Sequence, residues 1–478
     1  MAHIPTLPGV PLRIAGRDVL TERRFRTVNP ATNEAVAEVS GAFIPEAEEA
    51  VAVAQVAFRD WSRTKTERRR NVFLKAADIL ERRRSELCRY MQQETGATDS
   101  WCGFNVHTSS ELLRDIAGRI ATLQGTIPET VDEGRTALVY KEPLGVILAI
   151  APWNAPYVLG FRSVAYALAV GNTCVLKGSE LAPRCFWAIE SIFEEAGLPA
   201  GCLNVIYHQT QDAPDVTRVL IEHPGIKKIN FTGSTAVGRI IAGLAGNNVK
   251  PVLMELGGKA STIIFESADL RQGALACARG SFLHAGQICM ACERIIVQSS
   301  IASAFAAELK IAIDEVFDSG NGSHLMVSTA GAQKTKQLVR KALEAGAVPL
   351  IGSEPTSDIT ARMNPIVLNG VKKEMEIYYT ESFGPTVSFI TVDSEDEAIA
   401  VANDTEYGLS AAVFTNDLQQ GLRVARQIES GAVHINSMTI HDEPRLPHGG
   451  VKNSGFGRFG GNFGLEEFLQ TKTVTFQN

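Results

Sequence analysis

From Gly145 onward the sequence alternates strand-like and helix-like segments, and this alternation restricts the fold more than any other feature of the 478-residue chain. V-I-L-A-I-A-P at 146–152 is an apolar run suited to a strand buried on both faces. Tyr157 to Val170 then reads as a helix, Asn172 to Lys177 as a strand, and Ala182 to Ala196 as a second helix. Asn204 to Tyr207, a helix near Pro214 to Glu222 and the strand Ile226 to Phe231 continue the series. Repeated βαβ units of this kind imply an open parallel sheet that takes ligands at the carboxyl ends of its strands. A further alternating stretch, with strands near Thr262 to Phe265, Ile295 to Gln298 and Val387 to Val392, runs to Val401, so a second α/β domain is expected.

Residues 1–40 read as short strands and turns, followed by two long amphipathic helices at about 45–62 and 66–95 and a third at 109–123. Thr136 to Lys141 reads as a strand, and the chain closes with a Gly-rich loop at 449–460 and a strand from Thr471 to Gln477. With 45% hydrophobic residues, a chain of this length can build two or three cores. A net charge of -7 argues against a nucleic-acid surface, and the Arg-rich runs between 67 and 84 suit a solvated helix face. Eight cysteines without a framework pattern read as reduced thiols. The N-terminus lacks a basic start followed by an apolar segment, and no eighteen-residue apolar run occurs, so a cytoplasmic protein that does not enter membranes is expected.

The chemistry centres on F-L-H-A-G-Q-I-C-M-A-C-E-R, residues 282–294. Cys289 follows small and polar residues there and precedes an aliphatic run, as a nucleophile at a loop end would. A thiolate attacks carbonyl carbon only if something lowers its pKa and something else holds the oxyanion. A buried structural cysteine is the alternative. Cys289 and Cys292 also form C-x-x-C, but no second ligand pair is present, so no metal is expected. Glu255, in V-L-M-E-L-G-G-K, is a carboxylate flanked by apolar residues and followed by Gly257-Gly258: a candidate general base with a raised pKa, or else a solvent-facing strand residue. In F-T-G-S-T-A-V-G, residues 231–238, Gly233 permits a tight turn and Ser234 opens a helix, a pattern that suits a phosphate or an ordinary N-cap. E-S-F-G-P at 381–385 reads as a turn.

These pieces, with P-W-N at 152–154, K-G-S-E at 177–180, G-Q-I-C at 286–289 and P-H-G-G-V-K-N-S-G at 447–455, resemble the aldehyde dehydrogenase superfamily in the family's order and over nearly the whole chain. The resemblance implies an α/β fold with a Rossmann-like parallel-sheet domain for NAD at 1–124 and 144–257 and a catalytic α/β domain at 258–464. It also implies small oligomerisation strands at 125–143 and 465–478, and hence a homodimer or homotetramer. It implies that Cys289 attacks the aldehyde, that the Asn154 amide and the Cys289 N–H hold the oxyanion, and that Glu255 activates the water that hydrolyses the thioester. Lys177 and Glu180 would hold the adenosine ribose, Ser234 with Gly233 the pyrophosphate, and Glu381 and Phe383 the nicotinamide ribose, with Trp153 and Gly257 beside the cofactor. Glu180 would repel a 2′-phosphate, so NAD is expected over NADP.

The stretch 434–450 is most similar to the branch acting on aromatic aldehydes such as salicylaldehyde, vanillin and benzaldehyde. Ala155, Val158, Leu159 and Arg162 share one helix face, which in the family lines the substrate tunnel; His448 would join that wall. Arg162 is expected either to pair with a phenolate or carboxylate on the substrate ring or to snorkel at the tunnel mouth. Three departures from the family pattern stand out. Gly178 replaces the proline of K-P-S-E, which would loosen that turn, and His448 replaces the phenylalanine of P-F-G-G. Phe459 stands where many relatives have a proton-relaying glutamate, leaving Glu255 and water as the proton exit. Cys292 is a candidate trap for an oxidised Cys289. Acyl transfer to coenzyme A, oxidation of a bulkier aldehyde in secondary metabolism, and a binding protein without activity are the rival functions.

Overall fold

The computed structural model describes residues 7–317 and 325–477; residues 1–6 of the expected N-terminal strands and residue 478 of the expected final piece lie outside the described residues. Val146–Ile150 is buried along its whole length and sits inside an eight-stranded sheet. The order across that sheet is Gly455–Phe456, Val252–Glu255, Ile226–Thr232, Val146–Ile150, Thr173–Lys177, Leu203–Ile206, Leu12–Ile14, Arg17–Val19. The five strands from Val252–Glu255 to Leu203–Ile206 are parallel and the outer ones antiparallel. Apolar side chains on both strand faces need helices on both sides, and Ile44–Trp61 and Pro156–Ala169 both pack against Val146–Ile150 and Thr173–Lys177.

Strand order reverses between Val146–Ile150 and Ile226–Thr232, because the chain builds outward in one direction from the first and returns to its other side with the second. A crevice opens at such a reversal beyond the strand ends. Asn154 follows one of these ends and Ser234 the other.

A second, seven-stranded sheet runs Val348–Ile351, Ile366–Asn369, Thr386–Val392, Cys292–Gln298, Ala260–Ile264, Ser410–Phe414, Ala432–Ile435, parallel except for its first edge. Arg135–Pro143 and Leu469–Gln477 form a separate antiparallel ribbon that leaves Tyr140, Val474 and Phe476 exposed. Among the described residues no helix is long and apolar enough to cross a membrane.

Two helical expectations are corrected. The helix expected over 66–95 is two, Thr66–Arg82 and Arg84–Thr95, because Arg83 (φ −89°, ψ 8°) leaves helical geometry and re-aims the second segment. Amphipathic periodicity does not register a one-residue kink. The helix expected from Ser109 begins at Asp99, where the Thr98 hydroxyl accepts from the Trp101 N–H at 3.3 Å. Its first ten residues include Gly103 and few strong helix formers, so the N-cap and burial of Trp101, Cys102, Asn105 and Val106 supply what propensity does not.

Candidate active site

After helix Leu270–Phe282 the chain reverses through three successive left-handed residues, His284 (φ 48°), Ala285 (φ 55°) and Gly286 (φ 70°). Only glycine adopts this conformation cheaply, so the other two need support from their surroundings. The His284 ring stacks on Trp101 with centroids 5.5 Å apart. Gln287 donates to the His284 carbonyl at 3.0 Å and accepts from the Val327 N–H at 2.9 Å. This braced turn delivers Cys289, which is half-buried, whereas the other seven cysteines are buried.

Glycines let three separated segments meet at this loop. A Cβ on Gly258 would strike the Cys289 carbonyl oxygen, one on Gly286 the Gly384 carbonyl, and one on Gly257 the Glu381 carboxylate. Asn154, buried at the switch point, donates from Nδ2 to the Gln287 carbonyl at 3.0 Å, while the Trp101 indole donates to the Asn154 carbonyl at 3.0 Å. One amide hydrogen of Asn154 therefore anchors it to the Cys289 loop and the other stays available. Burial, with Glu255 and Glu381 next in effect and Arg162 in opposition, pushes the Cys289 thiol well above its ordinary value. The expected pKa-lowering partner does not prevail, so the sulfur rests as a thiol and must surrender its proton as it attacks.

Glu255 is 1% exposed, which removes the solvent-facing alternative. Its Oε1 lies 2.8 Å from His448 Nε2, and its Oε2 has no hydrogen-bond partner among the described residues, with Arg162 Nη1 3.6 Å away. Burial pushes this carboxyl up, but His448 and Arg162 outweigh burial and hold it below the usual range. The raised pKa expected for Glu255 is therefore corrected.

Arg162 needs correction as well. It is 5% exposed and forms a close ion pair with Asp442, so it neither snorkels nor stands free for a substrate anion. Asp442, 280 residues away, had no role in the sequence reading. Val158 and Leu159 are buried on the same helix and Ala155 is buried at its N-cap, and Val158 and Arg162 border a small cavity with Leu112, Tyr166, Asp442 and His448. His448 and Phe459 are backbone partners, exchanging two hydrogen bonds of 2.8 Å. The Phe459 ring packs beside Tyr166 and lies 5.9 Å from the Arg162 guanidinium.

On the cofactor side, Lys177 ends strand Thr173–Lys177 and its ammonium donates to no group among the described residues. Burial lowers its pKa against the pull of Glu180. Glu180 accepts only a 3.4 Å hydrogen bond from the Thr210 hydroxyl. Ser234 N-caps helix Thr235–Asn247 through Val237 N–H at 3.4 Å, beside Gly233. Glu381 accepts the Gly258 N–H at 2.9 Å, and burial, helped by Glu293, pushes it up to about 7 against that bond. Phe383 (φ 48°) meets Trp153 edge-on at 5.9 Å. An unpaired ammonium, two carboxyls with spare acceptor capacity and the free amides of a helix start suit ribose hydroxyls and a pyrophosphate.

Sequence reasoning missed what supports the Glu381 turn. Glu293 accepts from the Ser382 N–H (2.8 Å) and hydroxyl (2.7 Å) and pairs with buried Lys259 at 2.6 Å; Lys259 also donates to the Thr380 carbonyl. Both residues lie inside quoted motifs, but nothing local marks a Lys–Glu pair as buried. Two expectations fail outright. Gly178 does not loosen its turn: it lies against the Phe186 ring, where a Cβ would be 2.6 Å from Cγ, and donates to the Ile206 carbonyl at 3.0 Å. Cys292, expected as a trap for Cys289, packs instead in the core of the second sheet with Cys277, its sulfur 3.2 Å from the Thr262 hydroxyl.

Residues 19–474 match the model of the aldehyde dehydrogenase family. Vanillin dehydrogenase of Pseudomonas sp. (strain HR199 / DSM 7063) is 42% identical over 98% of both chains. The crystal structure of a salicylaldehyde dehydrogenase from Pseudomonas putida G7 complexed with salicylaldehyde superposes with a TM-score of 0.95 at 37% identity, covering 98% of both chains. A betaine aldehyde dehydrogenase from Staphylococcus aureus in complex with NAD+ gives 0.93 at 31% identity, covering 97% of this chain and 94% of that one.

Proposed function

The chain belongs to the aldehyde dehydrogenase family and is an oxidoreductase acting on aldehydes, and from that premise we propose that it oxidises an aromatic aldehyde to the carboxylic acid with NAD. Cys289 attacks the aldehyde carbon and its proton passes to a nearby base as the C–S bond forms. The free amide hydrogen of Asn154, with the Cys289 N–H, takes the charge that develops on oxygen. When bound, NAD supplies the hydride acceptor that turns the thiohemiacetal into a thioester. Glu255 then draws a proton from water through Oε2, the oxygen that accepts no hydrogen bond from the described residues. Lys177 and Glu180 bind the adenosine ribose, Ser234 and Gly233 the pyrophosphate, and Glu381 and Phe383 the second ribose, with Trp153 alongside.

The observation that carries this reading is the Asn154 Nδ2 bond to the Gln287 carbonyl, which brings an amide donor from one sheet to the loop that holds the nucleophile. The aromatic preference rests on the vanillin and salicylaldehyde relatives and on the buried apolar face of Ala155, Val158 and Leu159. The test is NADH formation with a panel of aromatic and aliphatic aldehydes, scored as kcat/KM, with the product identified. Higher values for straight-chain aldehydes would refute the substrate class, and an acyl-CoA product formed only when coenzyme A is added would refute the hydrolytic step. The proposal extends to an NAD-binding unit at 1–124 and 144–257, a catalytic unit at 258–464, and assembly in the cytoplasm as a homodimer or homotetramer through 125–143 and 465–478. The exposed apolar residues of the Arg135–Pro143 and Leu469–Gln477 ribbon support that assembly.

A further inference from the structure

Resting on that reading, we infer that Trp101 is a positioning residue for the reaction: its indole N–H and its ring hold the Asn154 amide in place against the Cys289 loop. Trp101 sits in the first turn of helix Asp99–Arg119 and is 7% exposed. Contacts run from it through the oxyanion donor and the nucleophile loop and return to it. The indole Nε1 donates to the Asn154 carbonyl at 3.0 Å, Asn154 Nδ2 to the Gln287 carbonyl at 3.0 Å, and Gln287 Nε2 to the His284 carbonyl at 3.0 Å. The His284 ring then lies back on the Trp101 ring, with 5.5 Å between centroids and 18° between planes.

A closed set of contacts fixes relative positions that any one of them alone leaves free to pivot. Asn154 stands in the bend between strand Val146–Ile150 and helix Pro156–Ala169, outside both hydrogen-bond ladders. Among the described residues its carbonyl accepts from the Trp101 indole and from no backbone N–H. The helix that follows is also held from the Trp101 helix rather than by a cap of its own. Ala155 at the N-cap has no side-chain oxygen and Pro156 no N–H; the Val158 N–H is met by Asn105 Oδ1 at 3.5 Å. Asn105, one turn beyond Trp101 and fully buried, donates from Nδ2 to the Trp101 carbonyl at 3.0 Å.

The other half of the contact set is aromatic. Burial pushes the His284 imidazole down to about 3, so the ring is neutral and packs on Trp101 as an aromatic surface, which braces its left-handed backbone (φ 48°). Phe104 covers the opposite face of Trp101 at 5.1 Å and 15°, confining the indole between two rings. The plain alternative is a core tryptophan whose buried N–H takes a nearby carbonyl. The two accounts differ in what losing the N–H does. If Trp101 positions, the 154 peptide is freed to turn and the amide shifts against the sulfur, where a displacement of about 1 Å can cost roughly 100-fold in rate.

The experiment measures the aldehyde-dependent NADH burst and NAD affinity in Trp101→Phe, Asn154→Ala and the double variant. Phenylalanine keeps an aromatic ring against His284 and removes the N–H. Trp101→Phe is expected to slow the burst at least about tenfold, with benzaldehyde and a straight-chain aldehyde alike, while the Kd for NAD stays within about twofold. In the Asn154→Ala background the same replacement should change the burst less than about twofold, because the amide that Trp101 places is already gone. A wild-type burst in Trp101→Phe overturns the inference. So does equal slowing with and without the Asn154 amide, which is what a general loosening of the core produces. Loss of NAD binding along with the burst, or slowing confined to aromatic aldehydes, also overturns it, since Trp101 would then be a core residue or a wall of the substrate site. If the wild type forms no NADH, the proposed reaction fails, and 4-nitrophenyl acetate still decides on Trp101. Its acetyl group passes to the Cys289 sulfur without NAD, the C–S bond forming as the ester C–O bond breaks and 4-nitrophenol leaves. A nitrophenol burst slowed by Trp101→Phe only where Asn154 is present supports the inference, and one left at the wild-type rate refutes it.

Discussion

Replacing Arg162 by leucine separates an ion-pair role from a substrate-binding role. The guanidinium is buried against two buried carboxylates, the close partner Asp442, whose side chain is 7% exposed, and Glu255 at 3.6 Å. Leucine removes the positive charge and leaves Asp442 with no close cation, a change of the kind that costs about 3–5 kcal/mol when one partner of a buried pair is deleted. The cost depends on pH, and the direction follows from the carboxylates. In the wild type Arg162 and His448 outweigh burial at both Asp442 and Glu255 and hold them below the usual range. They contribute stability above the unfolded-state values of about 4, which is lost as pH falls through the lower folded values. In Arg162→Leu burial, the largest influence on Asp442, is opposed only by the weaker pull of His448 and His441, so a folded-state pKa above the unfolded value now costs stability at high pH and costs less as pH falls. The difference between the two proteins is therefore expected to be largest near pH 8 and to narrow toward pH 5. Guanidinium unfolding at the two pH values reads this directly. The double variant Arg162→Leu with Asp442→Asn should recover most of the loss, since neither charge is then buried alone. A loss below about 1 kcal/mol at pH 8 would refute the reasoning, given the cost expected for a broken buried pair. So would a KM increase confined to hydroxylated benzaldehydes with unchanged stability, which would return Arg162 to the substrate.

Asn154→Ala should lower kcat by about 10²–10³-fold, the usual cost of one oxyanion donor, and leave NAD affinity near wild type; equal kcat by steady-state NADH absorbance would remove that role. Glu255→Gln should retain the NADH burst but lose steady-state turnover by about 10²–10⁴-fold, and an unchanged steady state would exclude it as the water-activating base. Iodoacetamide labelling of Cys289 in the absence of aldehyde should still be rising at pH 9, because burial and the nearby carboxylates disfavour its thiolate, and Glu255→Gln should speed labelling at pH 8; peptide mass spectrometry reads both. Glu180→Ala should narrow the preference for NAD over NADP by removing the charge facing a 2′-phosphate, and an unchanged kcat/KM ratio for the two cofactors would place specificity elsewhere.

Much of the backbone was legible in the residues because its signals are local. Apolar runs such as 146–150 mark strands covered on both faces, Gly-Gly after Glu255 marks a close approach of backbone, and Ser234 sits where a helix must be capped. Motif order alone marks Cys289, Glu255 and Asn154 as the candidates for nucleophile, base and oxyanion donor. Charge pairing was not legible. From sequence Arg162 reads either as a cation facing substrate or as a snorkelling side chain, whereas Asp442 pairs with it, and Glu255 reads as a carboxyl raised by burial, whereas His448 and Arg162 reverse that shift. These partners lie 193 and 280 residues apart along the chain, and a pairing at that separation leaves no periodicity, cap or turn for local inspection to detect. Segment type and motif follow from neighbours in the chain, whereas the protonation state of a buried group follows from neighbours in space, which only the packing of both sheets around the Cys289 loop could settle.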